Sequence, residues 1–434
     1  MMASSIEQTR LHAARALERY WPNRAEAILE LPIPIASQSE SQPLPPHLEM
    51  VELPEWARDL GVEGKILIPL HCMAERGVPL WRQVDWLGAV QWYLNGESER
   101  AFERKNGPIH SYSFRLKGWD GRMWERAWVN RIALFLRRWA ARELDASEES
   151  VFGPLPEAEV ILTHDVDAVR KTWAIRFKQA AFNAFNAARL LLEGRLGASM
   201  ARLGRAFHFL VGCDNFWHFP AILELERRRG LKSRFYFYGG GCGGRRSFKQ
   251  MLFDPAYPVD SPKLKQVLGE LSSGGWPIGL HQSFDAWQDA ELMRGERARL
   301  EKALGRPVNS CRQHWLRFSW DRTWAAQQEA GFVSDSTLGF NDRPGFRNGA
   351  ALRFQPYGAD GMPMKLEAIP MVLMDSHLYD YAQLSEVERE EQIRYWVDEV
   401  RQVRGVATFL WHQQVFGKDY GWGPGYEKLI SILQ

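Results

Sequence analysis

From about residue 151 onward, short apolar runs alternate with stretches of helical spacing. The first run is VILTHDVD at residues 160–167, and it is followed by RFYFYGG, PIGLHQSF, VNSCRQHW, GFVSDSTLG, LEAIPMVL and VATFLWHQ. Short apolar runs separated by helical stretches are typical of βα units. The pattern therefore predicts an α/β fold with a parallel sheet or barrel, in which unusual polar residues gather where the strands end.

The first 150 residues follow a different pattern, so residues 1–150 and 151–434 are predicted to form separate domains. A first helix is expected near residues 6–30, and the Pro-rich segment 33–57 is interpreted as an extended connector. Aromatic and charged residues then recur at helical spacing from about 78 to 145, without a compact set of acid, base and metal-ligating side chains. We expect a mainly helical N-terminal domain that serves as a scaffold or docking unit.

Composition indicates a globular chain without a dominant charge. Of its 434 residues 45% are hydrophobic, and 55 basic against 53 acidic residues give a net charge of +2. This balance argues against nucleic acid as a partner. The four cysteines contain no CxxC pair, which fits reduced thiols rather than a cysteine zinc site; they are Cys72, Cys213, Cys242 and Cys311. Without a secretory signal pattern or a membrane-spanning apolar run, we predict a cytoplasmic protein.

Residues 168–206 are predicted to be helical and are strongly basic. Eight arginine or lysine residues accompany a single acid, Glu193. A basic amphipathic helix can lie on anionic lipid, which would hold the protein peripherally at the inner membrane face. The commoner alternative is a helix packed on the barrel with its basic face in solvent.

The first apolar run ends in two acids. Asp165 and Asp167 lie two residues apart, so on an extended backbone both would point to the same side. One could bind a cation while the other accepts a proton, although acids at strand ends also cap the next helix. Later in the chain His281 and Asp285 lie four residues apart and can complete a metal site with Asp167 if the turn is helical. The structural alternative is a buried strand-end histidine and a helix-capping aspartate.

Other polar residues follow the remaining runs. Four histidines stand at or just after predicted strands, and the carboxyl ends of barrel strands converge on one mouth; they are His164, His281, His314 and His412. The Gly-rich stretch DSTLGFNDRPGFRNG carries Arg343 and Arg347, which suit a rim loop that binds a carboxylate or holds a catalytic acid. A surface turn with solvated arginines is the alternative.

Taken in order, LTHDVD, IGLHQSFDAW, CRQHWLRF, SDSTLGFNDRPGFRNG and LWHQQVF resemble the motif series of the polysaccharide deacetylase family, also called carbohydrate esterase family four. The resemblance covers about residues 160–416. The CRQHWLRF, DSTLGFNDRPGFR and LWH stretches are similar to a cytoplasmic branch associated with exopolysaccharide and surface-glycan synthesis. The resemblance implies a distorted (β/α) barrel that holds one divalent ion, usually zinc, and removes an N-acetyl or O-acetyl group from a saccharide. Manganese, cobalt and nickel are alternatives to zinc.

The resemblance also implies roles for single residues. Asp165 matches the general base, Asp167 a metal ligand, and His281 the first histidine of a His-xxx-His ligand pair. His412 matches the general acid that protonates the leaving amine, and Arg312 matches the arginine that orients the base.

This chain departs from the family pattern at the third ligand. Asp285 stands where the second histidine is expected, which leaves Asp285 and His314 as candidates. An Asp-His-Asp site would tolerate harder ions than Asp-His-His. His164 is expected to orient one of the aspartates, and the predicted substrate contacts are His164, His314, Arg343, Arg347 and Trp411.

The predicted substrate is an acetylated saccharide, which could be carried on a lipid or a nucleotide. Two other functions stay open. One is a glycan-binding or assembly protein that keeps the barrel without catalysis, and the other is an amidohydrolase acting on a non-sugar C–N bond.

Overall fold

The computed structural model describes residues 2–36, 43–74, 77, 79–212, 215–241, 246–358 and 361–434. Its strands are β1 Leu48–Glu52, β2 Lys65–Pro69, β3 Glu159–Val166, β4 Arg234–Tyr238, β5 Ile278–Gln282, β6 Ser310–Gln313, β7 Ser334–Asp335, β8 Glu367–Ala368, β9 Met371–Met374 and β10 Val406–Leu410. Its α-helices are α1 Met2–Ala16, α2 Glu26–Leu29, α3 Trp86–Leu94, α4 Glu97–Asn106, α5 Trp128–Glu143, α6 Glu148–Phe152, α7 Trp173–Leu192, α8 Leu196–Val211, α9 Phe219–Arg228, α10 Phe248–Phe253, α11 Pro262–Gly274, α12 Ala290–Leu304, α13 Thr323–Glu329, α14 Glu386–Gln402 and α15 Gly423–Leu433.

Strands β3 to β10 form one sheet in the order β8-β7-β6-β5-β4-β3-β10-β9, and every neighbouring pair is parallel. Every residue of β5 and β10 is buried, because helices cover the outer face of the sheet and side chains fill the inner one. Each apolar run identified in the sequence overlaps at least one of these strands. The predicted α/β class with a parallel sheet is confirmed.

The sheet closes through the short segment that joins β8 to β9. Only Ile369 and Pro370 separate the two strands, and Pro370 cannot donate to a ladder, which interrupts the strand. The Ile369 amide donates to the carbonyl of Asp335 in β7, while the amide of Thr408 in β10 donates to the carbonyl of Pro370. The segment is therefore bonded on both sides, and the parallel strands form a distorted (β/α) barrel, as predicted.

The N-terminal part is mainly helical, as predicted, but differs in detail from the sequence pattern. The first helix ends at Ala16, and Pro22 disfavours a helical conformation for Trp21. The expected connector 33–57 contains β1, which pairs antiparallel with β2. Leu48, Glu49 and Met50 alternate between apolar and polar residues, but Val51 breaks the alternation, so the sequence gives only a weak strand signal here.

Residues from both parts of the chain share one hydrophobic cluster. Polar contacts join them as well: Tyr20 Oη donates to the carbonyl of Val403 at 2.6 Å, and Arg131 forms an ion pair with Glu399 at 2.6 Å. The division at residue 150 into two domains stays a prediction.

Two of the four cysteines, Cys72 and Cys311, are buried free thiols, while Cys213 and Cys242 lie outside the described residues. The predicted helical stretch 168–206 is a hairpin of two helices, α7 and α8, joined at Gly194 with φ +75°. No described helix is both long enough and apolar enough to pass through a lipid bilayer.

Candidate metal centre

Three strands of the barrel, β3, β5 and β6, bring Asp167, His281 and His314 together at their carboxyl ends. Asp167 follows the last residue of β3, His281 lies in β5, and His314 follows β6 directly. One ligand atom of each residue lies within 4.8 Å of the other two. Asp167 Oδ1 is 3.1 Å from His281 Nε2 and 3.5 Å from His314 Nε2. The third candidate ligand is therefore His314.

A backbone carbonyl behind His281 orients its imidazole. His281 Nδ1 lies 3.1 Å from the backbone carbonyl oxygen of Arg312, so a proton on Nδ1 leaves the Nε2 lone pair facing Asp167. A carbonyl partner of this kind is a usual support of metal-binding histidines. His314 Nδ1 faces the carboxylate of Asp254, but the 3.9 Å between Nδ1 and Oδ1 is too long for a hydrogen bond.

The donor set fits a divalent cation. Asp167 Oδ1 is shielded from solvent and receives no hydrogen bond of good geometry among the described residues, and a bound cation would satisfy it. Burial opposes ionisation of Asp167, yet the neighbouring His314, His281 and His412 imidazoles hold its pKa well below the ordinary value. One carboxylate and two imidazoles that leave positions open are characteristic of catalytic zinc sites.

Asp165 lies beside this cluster and is held by Arg312. Arg312 is fully buried, and its Nη1 lies 3.0 Å from Asp165 Oδ1. The same guanidinium donates to Thr163 Oγ1 at 2.8 Å and Thr408 Oγ1 at 3.1 Å, so its position is fixed from β3 and β10. The other oxygen of Asp165 lies 3.8 Å from His281 Nε2. Asp165 is thus oriented towards the three candidate ligands.

His412 faces the cluster from the end of β10. Its Nε2 is 3.5 Å from Asp167 Oδ2, and its Nδ1 is 2.9 Å from Asp375 Oδ1. The backbone amide of His412 also donates to Asp375 Oδ2 at 2.6 Å. Burial lowers the pKa of His412, but Asp375 and Asp167 outweigh burial and raise it to about 10. His412 is therefore a protonated group that points at the cluster.

Asp375 was missed by the sequence reasoning. It is fully buried and lies directly after β9. The available signal was an acid that follows the apolar run LEAIPMVLM, which is the same signal that marks Asp165 and Asp167.

The structure corrects the predicted ligand role of Asp285. Its side chain is 46% exposed and pairs with Lys249 at 2.6 Å and with Arg317 at 3.0 Å, outside the cluster. The prediction required His281 and Asp285 to share a helical face. His281 instead lies in β5, and the helical turn that follows begins only at Ala286.

The predicted substrate contacts of His164 and Trp411 are also wrong. His164 is fully buried, with Nδ1 2.6 Å from the Trp411 carbonyl and Nε2 3.1 Å from Glu226 Oε1. Since adjacent strand residues point to opposite faces, His164 points away from Asp165 and towards the surrounding helices. The Trp411 ring is only 1% exposed and packs against Tyr426. Neither side chain reaches the barrel mouth as a substrate contact.

Arg343 and Arg347 contact the N-terminal part of the chain. Arg347 is buried, is paired with Glu99 and donates to the carbonyl of Gly339 at 3.0 Å. The guanidinium of Arg343 lies 5.1 Å from the centre of the Trp124 ring. The predicted rim loop thus anchors helices of the N-terminal part to the barrel.

No protein-family model matches the chain, and no curated protein sequence matches it. Solved structures that match include a protein from Mycobacterium smegmatis assigned as a polysaccharide deacetylase, at 16% identity and a TM-score of 0.38, over 64% of this chain and 84% of that one. The Xyl-CE4 domain of a multidomain xylanase from the hindgut metagenome of Trinervitermes trinervoides matches at 10% identity and a TM-score of 0.30, over 64% and 83%. A CE4 family pseudoenzyme from Bacillus anthracis matches at 10% identity and a TM-score of 0.27, over 63% and 61%.

Proposed function

We propose that the protein is a metal-dependent hydrolase that removes an acetyl group, N-linked or O-linked, from a saccharide. The observation that carries the proposal is the convergence of three ligand atoms within 4.8 Å of one another, flanked by the buried carboxylate of Asp165 and the partly buried imidazole of His412. Similarity at the level of the matched structures does not transfer an activity, so the support comes from the site. The choice of a saccharide rests on the motif resemblance.

Asp167, His281 and His314 would hold the cation. When bound, it supplies Lewis-acid chemistry, because it polarises an acyl carbonyl and makes a water molecule more acidic. Asp165 accepts the proton of the attacking water, since its free oxygen faces the ligands and Arg312 fixes its other oxygen at 3.0 Å.

His412 completes the acid–base pair. Its Nε2 faces the cluster and can donate a proton to the departing nitrogen or oxygen, while Asp375 stabilises the imidazolium and fixes its orientation. A carboxylate base and an imidazolium acid on different strands are suited to opposite proton transfers in one reaction. We place this activity in the cytoplasm, in the synthesis of a polysaccharide or surface glycan.

Elemental analysis and acetate release test the proposal. Purified protein is expected to contain about one equivalent of zinc, or another divalent ion, and to release acetate from N-acetylglucosamine oligomers or from nucleotide- or lipid-linked acetylated sugars. Asp167→Ala is expected to lose the metal, whereas Asp165→Asn keeps the metal and loses turnover. Metal retained in Asp167→Ala contradicts the ligand assignment. Absence of both metal and acetate release from the unmodified protein favours a glycan-binding role.

A further inference from the structure

The outer surface of the α7–α8 hairpin is apolar. Residues 173–211 make up about a tenth of the chain but carry eleven of the 24 large hydrophobic residues that are exposed in the described structure. The six most exposed ones in the hairpin are Trp173 at 69%, Phe185 at 69%, Leu192 at 89%, Leu196 at 65%, Met200 at 67% and Phe207 at 66%. We call this surface the apolar face. An exposed apolar surface of this breadth is unusual for a protein surrounded by water only.

The inner side of the hairpin holds the polar residues. Asn183, Ser199 and Arg202 are all less than 10% exposed. Arg202 pairs with Asp380 at 3.1 Å and donates to Asn183 Oδ1 at 3.3 Å, while Ser199 donates to the carbonyl of Ala187 at 2.8 Å. Polar side chains are satisfied inside and aromatic ones face outward, which is the reverse of a helix that packs on a core and faces water.

The basic residues of the hairpin divide into two groups. Lys171 pairs with Asp419 at 2.6 Å, and Arg176 donates to the carbonyls at the carboxyl end of α8, so these cations point inward like Arg202. Three of the eight basic residues in 168–206 therefore do not belong to the solvent-exposed basic face that the sequence pattern allowed. The exposed charges that remain around the apolar face are cationic, apart from Glu193; they are Arg170, Lys178, Arg189 and Arg195.

The apolar face continues onto α10 and borders the metal centre. Phe248 and Met251 of α10 are 77% and 53% exposed, and Lys178 of α7 donates to the carbonyl of Leu252 at 3.3 Å. The same ammonium lies 4.9 Å from the centre of the Trp315 ring, next to the candidate ligand His314. The face and the barrel mouth therefore open side by side.

We propose that the apolar face inserts into the headgroup region of an anionic lipid bilayer, with α7 and α8 lying in the plane of the membrane. Aromatic and leucine side chains on one face, fringed by arginine and lysine, are the features of helices that bind bilayer surfaces. The predominantly cationic fringe decides between a bilayer and a second copy of the chain. Two copies packed face to face would bring like charges together, whereas anionic headgroups complement them.

The position of the face has a consequence for the substrate, which rests on the proposed function. A barrel mouth at the bilayer surface suits an acetylated saccharide that is carried on a membrane lipid. Binding to vesicles needs neither metal nor turnover, so it can succeed or fail independently of the hydrolase activity.

Co-sedimentation with phosphatidylcholine vesicles, prepared with and without phosphatidylglycerol, tests the proposal. The protein is expected to bind the anionic vesicles more tightly, with a preference that salt weakens. The double variant Phe185→Ser/Leu192→Ser is expected to bind vesicles at least about tenfold more weakly, because each substitution removes apolar area from the contact with the bilayer. Leu155→Ser/Val333→Ser is a matched control, since these exposed residues precede β3 and β7 at the other end of the barrel.

Two further measurements distinguish a loss of membrane binding from changes in folding or self-association. Circular dichroism should show the same helix content in both double variants, because all four side chains are exposed. Sedimentation velocity without lipid is expected to give the same species for the unmodified chain and both variants. The proposal is overturned by absent binding to anionic vesicles or by equal binding of the two double variants. An oligomer that only Phe185→Ser/Leu192→Ser disrupts assigns the face to a second copy of the chain.

Discussion

Replacing Arg312 with methionine is expected to lower the free energy of unfolding by about 3–5 kcal/mol. Arg312 and Asp165 are both almost completely buried, and their side chains meet at 3.0 Å. Methionine has a similar length but carries neither charge nor donor, so Asp165 is left as a buried carboxylate without its partner. Thr163 and Thr408 lose a donor at the same time. The expected loss is a large part of the about 5–15 kcal/mol that stabilises a typical domain.

A double-mutant cycle with Asp165→Asn separates the charge pair from simple loss of packing. Asparagine keeps the size of the side chain and removes its charge, so Arg312→Met should cost at least about 2 kcal/mol less in the Asp165→Asn background. Urea unfolding followed by circular dichroism at neutral pH gives the four free energies. Arg347→Met provides a control, because Arg347 is equally buried and paired with Glu99 but lies away from the metal centre.

An equal cost of Arg312→Met in both backgrounds would show that the ion pair contributes no coupling and would contradict the prediction. A loss of turnover at saturating metal in Arg347→Met, but not in Arg312→Met, would contradict it as well. Arg312 is a positioning residue, and its loss should lower kcat more than it raises KM, because it orients Asp165 and does not bind the substrate.

Three further predictions concern the site and its surroundings. His314→Ala is expected to weaken zinc binding more than about 100-fold, which exceeds the effect of losing a group that only supports a ligand. Asp285→Ala should leave zinc affinity unchanged. Competition with a chromogenic chelator measures both affinities, and equal losses in the two variants would contradict the ligand set. Asp375→Asn removes the anion that holds His412 protonated, so acetate release should fall about 10²–10⁴-fold at unchanged zinc content, and an unchanged rate removes Asp375 from the site. Burial raises the pKa of Glu296 from 4.5 to about 7, so between these values the folded state keeps a proton that the unfolded state releases. The stability that this group contributes is complete below about pH 4.5 and declines as the pH rises towards 7, by at most about 3 kcal/mol. Glu296→Gln should flatten the pH dependence of the free energy of unfolding, measured with urea. The same pH dependence in the variant and the unmodified protein would refute the role of Glu296.

The barrel could be predicted because each of its strands leaves a local pattern in the sequence. β4 and β10 are short apolar runs bounded by helical stretches, and their burial in a parallel sheet leaves a pattern that needs no knowledge of the partner strands. The same holds for the acids at the end of β3. Asp165 and Asp167 point to one side of the strand because side chains alternate, and the structure places both beside His281. That rule, applied once more, excludes His164 from the barrel interior.

The third ligand could not be predicted from spacing, because it depends on where β5 ends. A helix that began at His281 would have placed Asp285 above it, but the strand continues to Gln282 and the chain then bends away. His314 reaches the cluster through the pairing of β5 with β6, in which His281 lies opposite Arg312. Register between strands is a tertiary property, so two residues 33 positions apart in the chain become neighbours without a sequence signal.

The orientation of α7 and α8 depends on partners that are still more distant in sequence. Both sides of α7 carry apolar and polar residues, so its periodicity does not select which side is buried. The choice is made by Asp380 and Asp419, which draw Arg202 and Lys171 inward through ion pairs that span more than 170 residues of the chain. Once these cations are satisfied inside, the phenylalanines and leucines have to face outward. The exposed apolar face is thus a consequence of where the fold places two acids. Neutralising both, as Asp380→Asn/Asp419→Asn, should therefore destabilise the hairpin in this orientation. Faster amide hydrogen exchange in α7 and α8 is the expected result, and unchanged exchange would contradict this account.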